Sequence, residues 1–302
     1  MTMTTTQIRD LLRPGLNSVF GDYELYQGQW RDIFETHTSD KAVEYDVEMR
    51  FLGLASLKQE GASVAYDSGM GQRYTSAYLH RYVGLGFLVT RQAQKDNLYT
   101  SQFPRQAKAL KKSFGQTKDT LGAAVINNMT DGTNYPGGDN VALLSTAHPI
   151  DTGTYANRAT NHADINEASL EDAFITIQGF RDQAGLTCAT KARKLIVPRQ
   201  SQFIVKRLLG NEWQPDSANR NVNAIQAMNM LPEGFSVNQF FTDTDAWIIK
   251  TDADDGFKYF QREAFETTMY TDPDNDNLKV KGIERYSFGW SNPRCVWGST
   301  GA

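Results

Sequence analysis

Glu284-Arg285-Tyr286-Ser287-Phe288-Gly289-Trp290-Ser291-Asn292-Pro293-Arg294-Cys295-Val296-Trp297-Gly298-Ser299-Thr300-Gly301-Ala302 closes this chain and decides how the rest is read. It reads as a strand, a bend and a second strand that stops at a small-residue tail. From Lys279 to Trp290, Val280, Gly282 and Glu284 alternate against Lys281, Ile283 and Arg285, the period of two that gives a strand two different faces. Asn292-Pro293 breaks the run, because proline removes a ladder donor and restricts the residue before it. Cys295-Val296-Trp297 resumes it. On pattern alone this is a strand pair closing a domain.

Working back from the C-terminus, Gly256 to Met269 reads as a long antiparallel-type strand, joined to Leu278–Trp290 by the turn Thr271 to Asp276. Trp247 to Lys250 and Lys194 to Pro198 are short apolar runs of the buried-strand kind. Helices are expected at Gln200 to Leu209 (Phe203, Ile204 and Leu208 inward, Gly210 closing), near Val222 to Met228, and at Ser169 to Ala184 with Ser169 as cap. The strongest helix is 104–129. Apart from a polar turn at Thr117, Phe103, Ala107, Leu110, Phe114, Leu121, Ala124 and Val125 fall on one face at helical spacing, with Arg105, Lys108, Lys111 and Lys112 on the other side. Twenty-six residues span roughly 39 Å at about 1.5 Å each.

Tyr74, Ser76, Tyr78, His80 and Tyr82 alternate with Thr75, Ala77, Leu79, Arg81 and Val83. This is one strand of an extended ribbon, with its turn at Gly69-Met70-Gly71 and Ala62 to Tyr66 as the expected partner strand. Both faces mix aromatic and polar residues, and an isolated hairpin is marginal in water, so the ribbon needs another surface. Before it, Ile8, Leu11, Leu12, Leu16, Val19 and Phe20 recur at helical spacing, and Tyr23, Tyr26, Trp30 and Phe34 form an aromatic stripe that packs either on its own subunit or on a neighbour.

Composition excludes several classes. The chain has 302 residues, 40% hydrophobic and 22% charged, with a net charge of -4, ordinary for a globular protein and not the basic balance of a dedicated nucleic-acid binder. No apolar run approaches the roughly 20 residues of a membrane helix. The N-terminus lacks a basic region followed by an apolar core, so no secretory leader is expected. Cys188 and Cys295 form neither a disulfide framework nor a metal cluster and read as buried small hydrophobes.

The candidate chemistry is thin. Ser145 and His148 could be cast as a serine hydrolase pair, but the Gly-x-Ser-x-Gly elbow is missing. His37, His80 and His162 have no ligand spacing. Asp272, Asp274 and Asp276 match the start of a calcium loop, but Asn277 and Ile283 stand where its glycine and bidentate glutamate belong, so a solvated turn is expected. Gly84-Leu85-Gly86 lacks the third glycine of a dinucleotide fingerprint. The basic side of the long helix reads as a solvated face.

The wording Glu284-Arg285-x-Ser287-x-Gly289, then Pro293-Arg294-x-Val296-x-Gly298-Ser299-x-Gly301-Ala302, resembles the C-terminus of major capsid proteins of tailed bacteriophages, of the Mu-like type with the Hong Kong 97-like shell fold. Val141 to Pro149, followed by a glycine- and asparagine-containing loop, and Tyr82 to Arg91 also resemble Mu-type head subunits; Lys194 to Arg199 resembles the strand that enters that family's A domain. The resemblance implies an α+β subunit. Residues 1–45 would be an N-terminal arm, 46–98 an extended E-loop, 99–185 a P domain opened by a spine helix at 104–129, 186–251 an axial A domain, and 252–302 strands returning to the P domain. It implies a non-enzymatic protein, with no catalytic, cofactor or metal site, that assembles as hexamers and pentamers into an icosahedral shell. That shell encloses the phage genome without sequence-specific DNA binding and without a membrane. A separate scaffolding protein, a portal and a decoration protein are the implied partners, the virion the location and the host cytoplasm the place of assembly. An encapsulin-type compartment shell shares the fold and stays open as an alternative; the Ser145–His148 hydrolase is the alternative of another class. Some relatives crosslink subunits through a lysine near the E-loop tip. No lysine lies between Lys58 and Lys95, so with a tip at Gly69–Gly71 no such stitch is expected.

Overall fold

The computed structural model describes residues 28–96, 99–213 and 221–302. The amphipathic segment expected at 8–20, with Tyr23 and Tyr26, lies outside the described residues. Two four-stranded sheets carry the body. The first contains β1 (Glu35–Thr38), β10 (Phe257–Thr271), β11 (Leu278–Trp290) and β4 (Arg81–Val89), in the order β1-β10-β11-β4. β1 runs parallel to β10, and the other pairs are antiparallel. The second contains β12 (Val296–Ser299), β9 (Trp247–Thr251), β7 (Ala192–Pro198) and β8 (Phe235–Asn238), in the order β12-β9-β7-β8, and β5 (His148–Ile150) and β6 (Gly153–Tyr155) pair by themselves.

The closing stretch therefore forms two strands that are not partners. After β11, the Asn292 side chain accepts from the Arg294 N–H at 3.1 Å and starts a single 3-10 turn at Pro293–Cys295, which carries the chain into the other sheet. Period two reports faces and is silent on which strand lies alongside. The second sheet also explains its continuous apolar runs. Leu195 and Val197 of β7, with Trp247 and Ile249 of β9, enter one core; Ile196 and Ile248 enter another on the opposite face. A sheet buried on both sides needs apolar residues at every position.

After the short helix α1 (Arg91–Lys95), the long helix α2 (Tyr99–Asn127) starts before the expected 104 and takes Pro104 into its interior, at the loss of one ladder donor. Ala107, Leu110 and Phe114 are buried with Val89, Leu278 and Val280. In its second half Ala123 and Ile126 are buried, while Leu121, Ala124 and Val125 are only partly covered. Trp30 and Phe34 settle the packing of their part of the aromatic stripe: both pack on their own subunit, against Tyr259 and Phe288. A Cβ at Gly122 would stand 3.0 Å from the Trp30 Cβ, so glycine there permits the close approach of this segment to the helix. Helix α3 (Glu167–Gln178) is shorter than expected. Its cap is Asn166, whose side chain accepts from the Ser169 N–H while the Ser169 hydroxyl accepts from the Asn166 N–H, so Ser169 is the second half of a capping box.

The ribbon is real, but its pairing differs from the expectation. β2 (Val43–Arg50) lies antiparallel to β3 (Gly71–Leu79), with Val43 opposite Leu79 and Arg50 opposite Gly71. Ala62 to Tyr66 form no strand. They belong to a loop, 51–70, whose turn is at Glu60-Gly61, with Gly61 at φ +77 and the Ala62 N–H on the Gln59 carbonyl. Lys58 is exposed beside this tip. The expectation of a lysine-free tip is therefore corrected, and its argument against a covalent stitch falls. The expected single strand from Tyr74 to Val83 is two strands, because the chain leaves the ribbon at His80 and joins the first sheet as β4.

Candidate functional site

The ribbon stem has inverted polarity. On β2, Glu44, Asp46, Glu48 and Arg50 face the body, while Tyr45 and Met49 face solvent. Three alternate residues tie the strand down. Asp46 meets Lys258 at 2.5 Å, Glu48 meets Arg294 at 2.7 Å, and Arg50 meets Asp151 at 2.7 Å. Arg73 of β3 joins Asp151 as well. Arg294 is buried, donates to the Arg181 carbonyl, and lies 4.7 Å from the Tyr155 ring centroid. Burial opposes the Lys258 charge, but Asp255 and Asp46 offset it and hold its ammonium above the ordinary value.

At the joint between β3 and β4, His80 is buried between two hydroxyls, Ser39 and Ser287, each 3.0 Å from a ring nitrogen. The Ser39 hydroxyl donates to Glu44 at 2.8 Å and so accepts from Nε2, which leaves Nδ1 to accept from Ser287. Burial, followed by the nearby Arg285, holds His80 below the ordinary histidine range.

Beyond the stem, the loop 51–70 carries Phe51, Leu54, Leu57, Val64, Tyr66 and Met70 in the open, with Tyr66 93% exposed. Asp67 fastens the loop base by accepting from the Gly53 and Gly69 N–H groups, which holds its carboxyl below the usual range. A second apolar surface lies on α4 (Gln202–Gly210) and α5 (Ala224–Ala227) and the segments flanking α5. There Phe203 is 71% exposed, with Ile204, Val222 and Met228 also open. Of the three apolar residues the helical spacing singles out, Leu208 packs on the core beside Val205 and Leu209, whereas Phe203 and Ile204 do not. Helical spacing alone does not orient a helix this short. Large contiguous apolar exposure marks interaction surfaces.

The enzymatic constellation does not come together. His148 is fully buried, with Nδ1 donating to Asp139 at 2.7 Å and Nε2 3.3 Å from the Leu143 carbonyl. The Ser145 hydroxyl accepts from the Ala147 N–H instead. Asp272 pairs with Lys279 at 2.6 Å and accepts from the Asp274 N–H, while Asp276 pairs with Arg91, so these carboxylates stabilise a turn. Among the described residues no group of three or more acidic, histidine or cysteine side chains could hold a metal. Cys295 is buried, its thiol pushed up to about 12 by desolvation, but Cys188 is exposed, which corrects the expectation for it. Thr187 bridges back to Arg181 after the turn at 183–185 and Thr187 to Ala189 are exposed, which the apolar letters around Cys188 do not report.

A body with ordinary cores, a polar-inward ribbon and apolar surfaces left in the open defines a subunit built for assembly. The chain belongs to the phage capsid protein family, whose model matches residues 73–298. No curated protein sequence matches it. Among solved structures, the mature capsid of bacteriophage PhiM1 is similar with a TM-score of 0.57 and 12% identity, covering 91% of this chain and 87% of that one. A structure from Mycobacterium phage Che8 gives 0.55 and 14%, covering 91% and 93%. A virus-like particle from Pyrococcus furiosus gives 0.53 and 11%, covering 95% and 97%. The fold is the Hong Kong 97-like capsid fold, and the protein is a major capsid shell subunit.

Proposed function

We propose that this subunit assembles as hexamers and pentamers into an icosahedral head enclosing a phage genome, with no catalytic step of its own. The inverted ribbon carries this reading: its ionic face is satisfied by its own body, and among the described residues its apolar face and tip stand open. In the family's terms, 46–98 carries the E-loop, 99–185 and 252–302 supply the P domain, and 186–251 the A domain. Assembly would occur in the host cytoplasm with separate scaffolding, portal and decoration proteins. The C-terminal wording and the stretches Tyr82–Arg91 and Val141–Pro149 support a Mu-like head subunit. The family match favours a phage shell over a cargo-storing compartment, which shares the fold. Each contact is modest, and the closed shell multiplies it. Electron microscopy of the full chain, expressed alone and with the products of its flanking genes, should show closed particles with five-fold vertices. Absence of capsomers and particles under both conditions overturns the reading.

A further inference from the structure

The stretch 99–118 of α2 holds five cations, Arg105, Lys108, Lys111, Lys112 and Lys118, and no acid before Asp119, in a protein whose net charge is -4. Two of the five are occupied: Lys118 meets Glu284 at 2.9 Å, and Lys111 is half-buried on the same side. Arg105, Lys108 and Lys112 are exposed, and among the described residues no carboxylate pairs with them. They stand at i, i+3 and i+7, one face of the helix, over roughly 10 Å of axis. Their exposed neighbours are Gln106, Ala109 and Gln116, so from Arg105 onward this face offers no large apolar side chain. A protein partner docks through apolar anchors with charges at the rim. A row of cations on a rigid helix, without anchors, suits a polyanion held by its backbone.

We propose that the exposed stripe Arg105-Lys108-Lys112 of α2 binds the phosphodiester backbone of nucleic acid, weakly and without sequence preference. The contact is phosphate to guanidinium or ammonium, so it reads charge and spacing and leaves the bases untouched. Three phosphate contacts give a log–log salt slope of about -2.7, so binding should fall about forty-fold between 50 and 200 mM salt. One subunit binds feebly against its own net negative charge, whereas an array of subunits binds by the sum. The proposal rests on the shell reading only for where the nucleic acid is met; the binding belongs to the subunit.

The test is fluorescence anisotropy of a 20-base-pair mixed-sequence DNA duplex with the unassembled full chain, titrated in salt. The variant R105Q/K108Q/K112Q should lose the salt-dependent binding, and each single substitution should lower the slope by about one. The variant K58Q/K206Q/R207Q changes net charge equally at exposed sites elsewhere and should bind as the parent does. Circular dichroism checks that both remain folded. No binding by the parent at 50 mM salt, or equal loss in both variants, overturns the proposal. Tighter binding of poly-glutamate than of DNA also overturns it and assigns the stripe to an acidic protein segment. Sedimentation scores assembly separately, so a chain that binds DNA through the stripe but forms no particles refutes the shell reading and leaves this one standing.

Discussion

β11 and β2 are both strands with a period of two, and they put opposite chemistry inward. β11 turns Val280, Gly282 and Tyr286 to the core and covers its one buried acid, Glu284, with Lys118. β2 turns Asp46, Glu48 and Arg50 inward and Tyr45 and Met49 outward. Apolar area removed from water contributes roughly 25 cal/mol per Å². The body realises that gain among its own described residues, whereas the ribbon leaves its apolar face in the open, which is the gain the proposed assembly would use. The ionic stripe serves a different purpose: it fixes the direction in which the ribbon leaves the body.

The sharpest way to break this contrast is Leu110→Asp in the body. It buries a charge without a partner where even Leu→Ala costs ~2–5 kcal/mol, and it should abolish soluble protein, while Lys112→Ala at an exposed position of the same helix leaves solubility unchanged. Equal tolerance at both sites means the buried face is misassigned.

Glu48→Ala tests the strap. Removing one partner of a buried pair costs ~3–5 kcal/mol; we expect about 3, because Arg294 keeps the Arg181 carbonyl and the Tyr155 ring. Urea unfolding should show the loss, and amide exchange should rise across Val43–Arg50. Unchanged exchange there would show that the ribbon is held by its backbone pairing alone.

Replacing residues 51–70 with Asn-Gly closes the stem between Arg50 and Gly71, which already face each other. Monomer stability should stay within about 0.5 kcal/mol, as for changes away from cores and caps, while particle formation is lost. A monomer that unfolds would place the tip in the core; particles that still form would make the tip dispensable.

The smallest effect belongs to the joint. His80 is held below its ordinary value, so its neutral form is favoured by folding. That stability is present above about pH 6.5 and is lost as pH falls through the unfolded and then the folded value. The drop in melting temperature between pH 7.5 and 5.5 should be smaller in His80→Gln than in the parent, and an equal drop would show that other groups carry the acid sensitivity.

The strongly periodic elements were legible. Leu278–Trp290 is the strand its alternation announces, the long helix is off by a few residues at each end, and Ala107, Leu110 and Phe114 are buried as spacing requires. The assembly surface was half legible: the two-sided ribbon showed that a partner was needed, but neither the tip at Gly61 nor the exposure of Phe203 and Ile204 could be read. Gly69-Met70-Gly71 is as good a turn signal as Glu60-Gly61, and local sequence carries no term for the register that Val43 and Leu79 impose.

By itself the sequence determined which residues alternate, where helices and breaks fall, and, through its closing phrase, the family to which the whole belongs. Those are local properties, set by backbone sterics and side-chain periodicity within a few residues. Only the tertiary structure decided that the two closing strands enter different sheets, that Val43–Arg50 partners the ribbon, that Glu48 reaches Arg294, and that the ribbon's apolar face is the outer one. Each of these depends on which distant surface lies opposite, and a period of two is the same whether the face it marks meets a core, an ion pair or another copy.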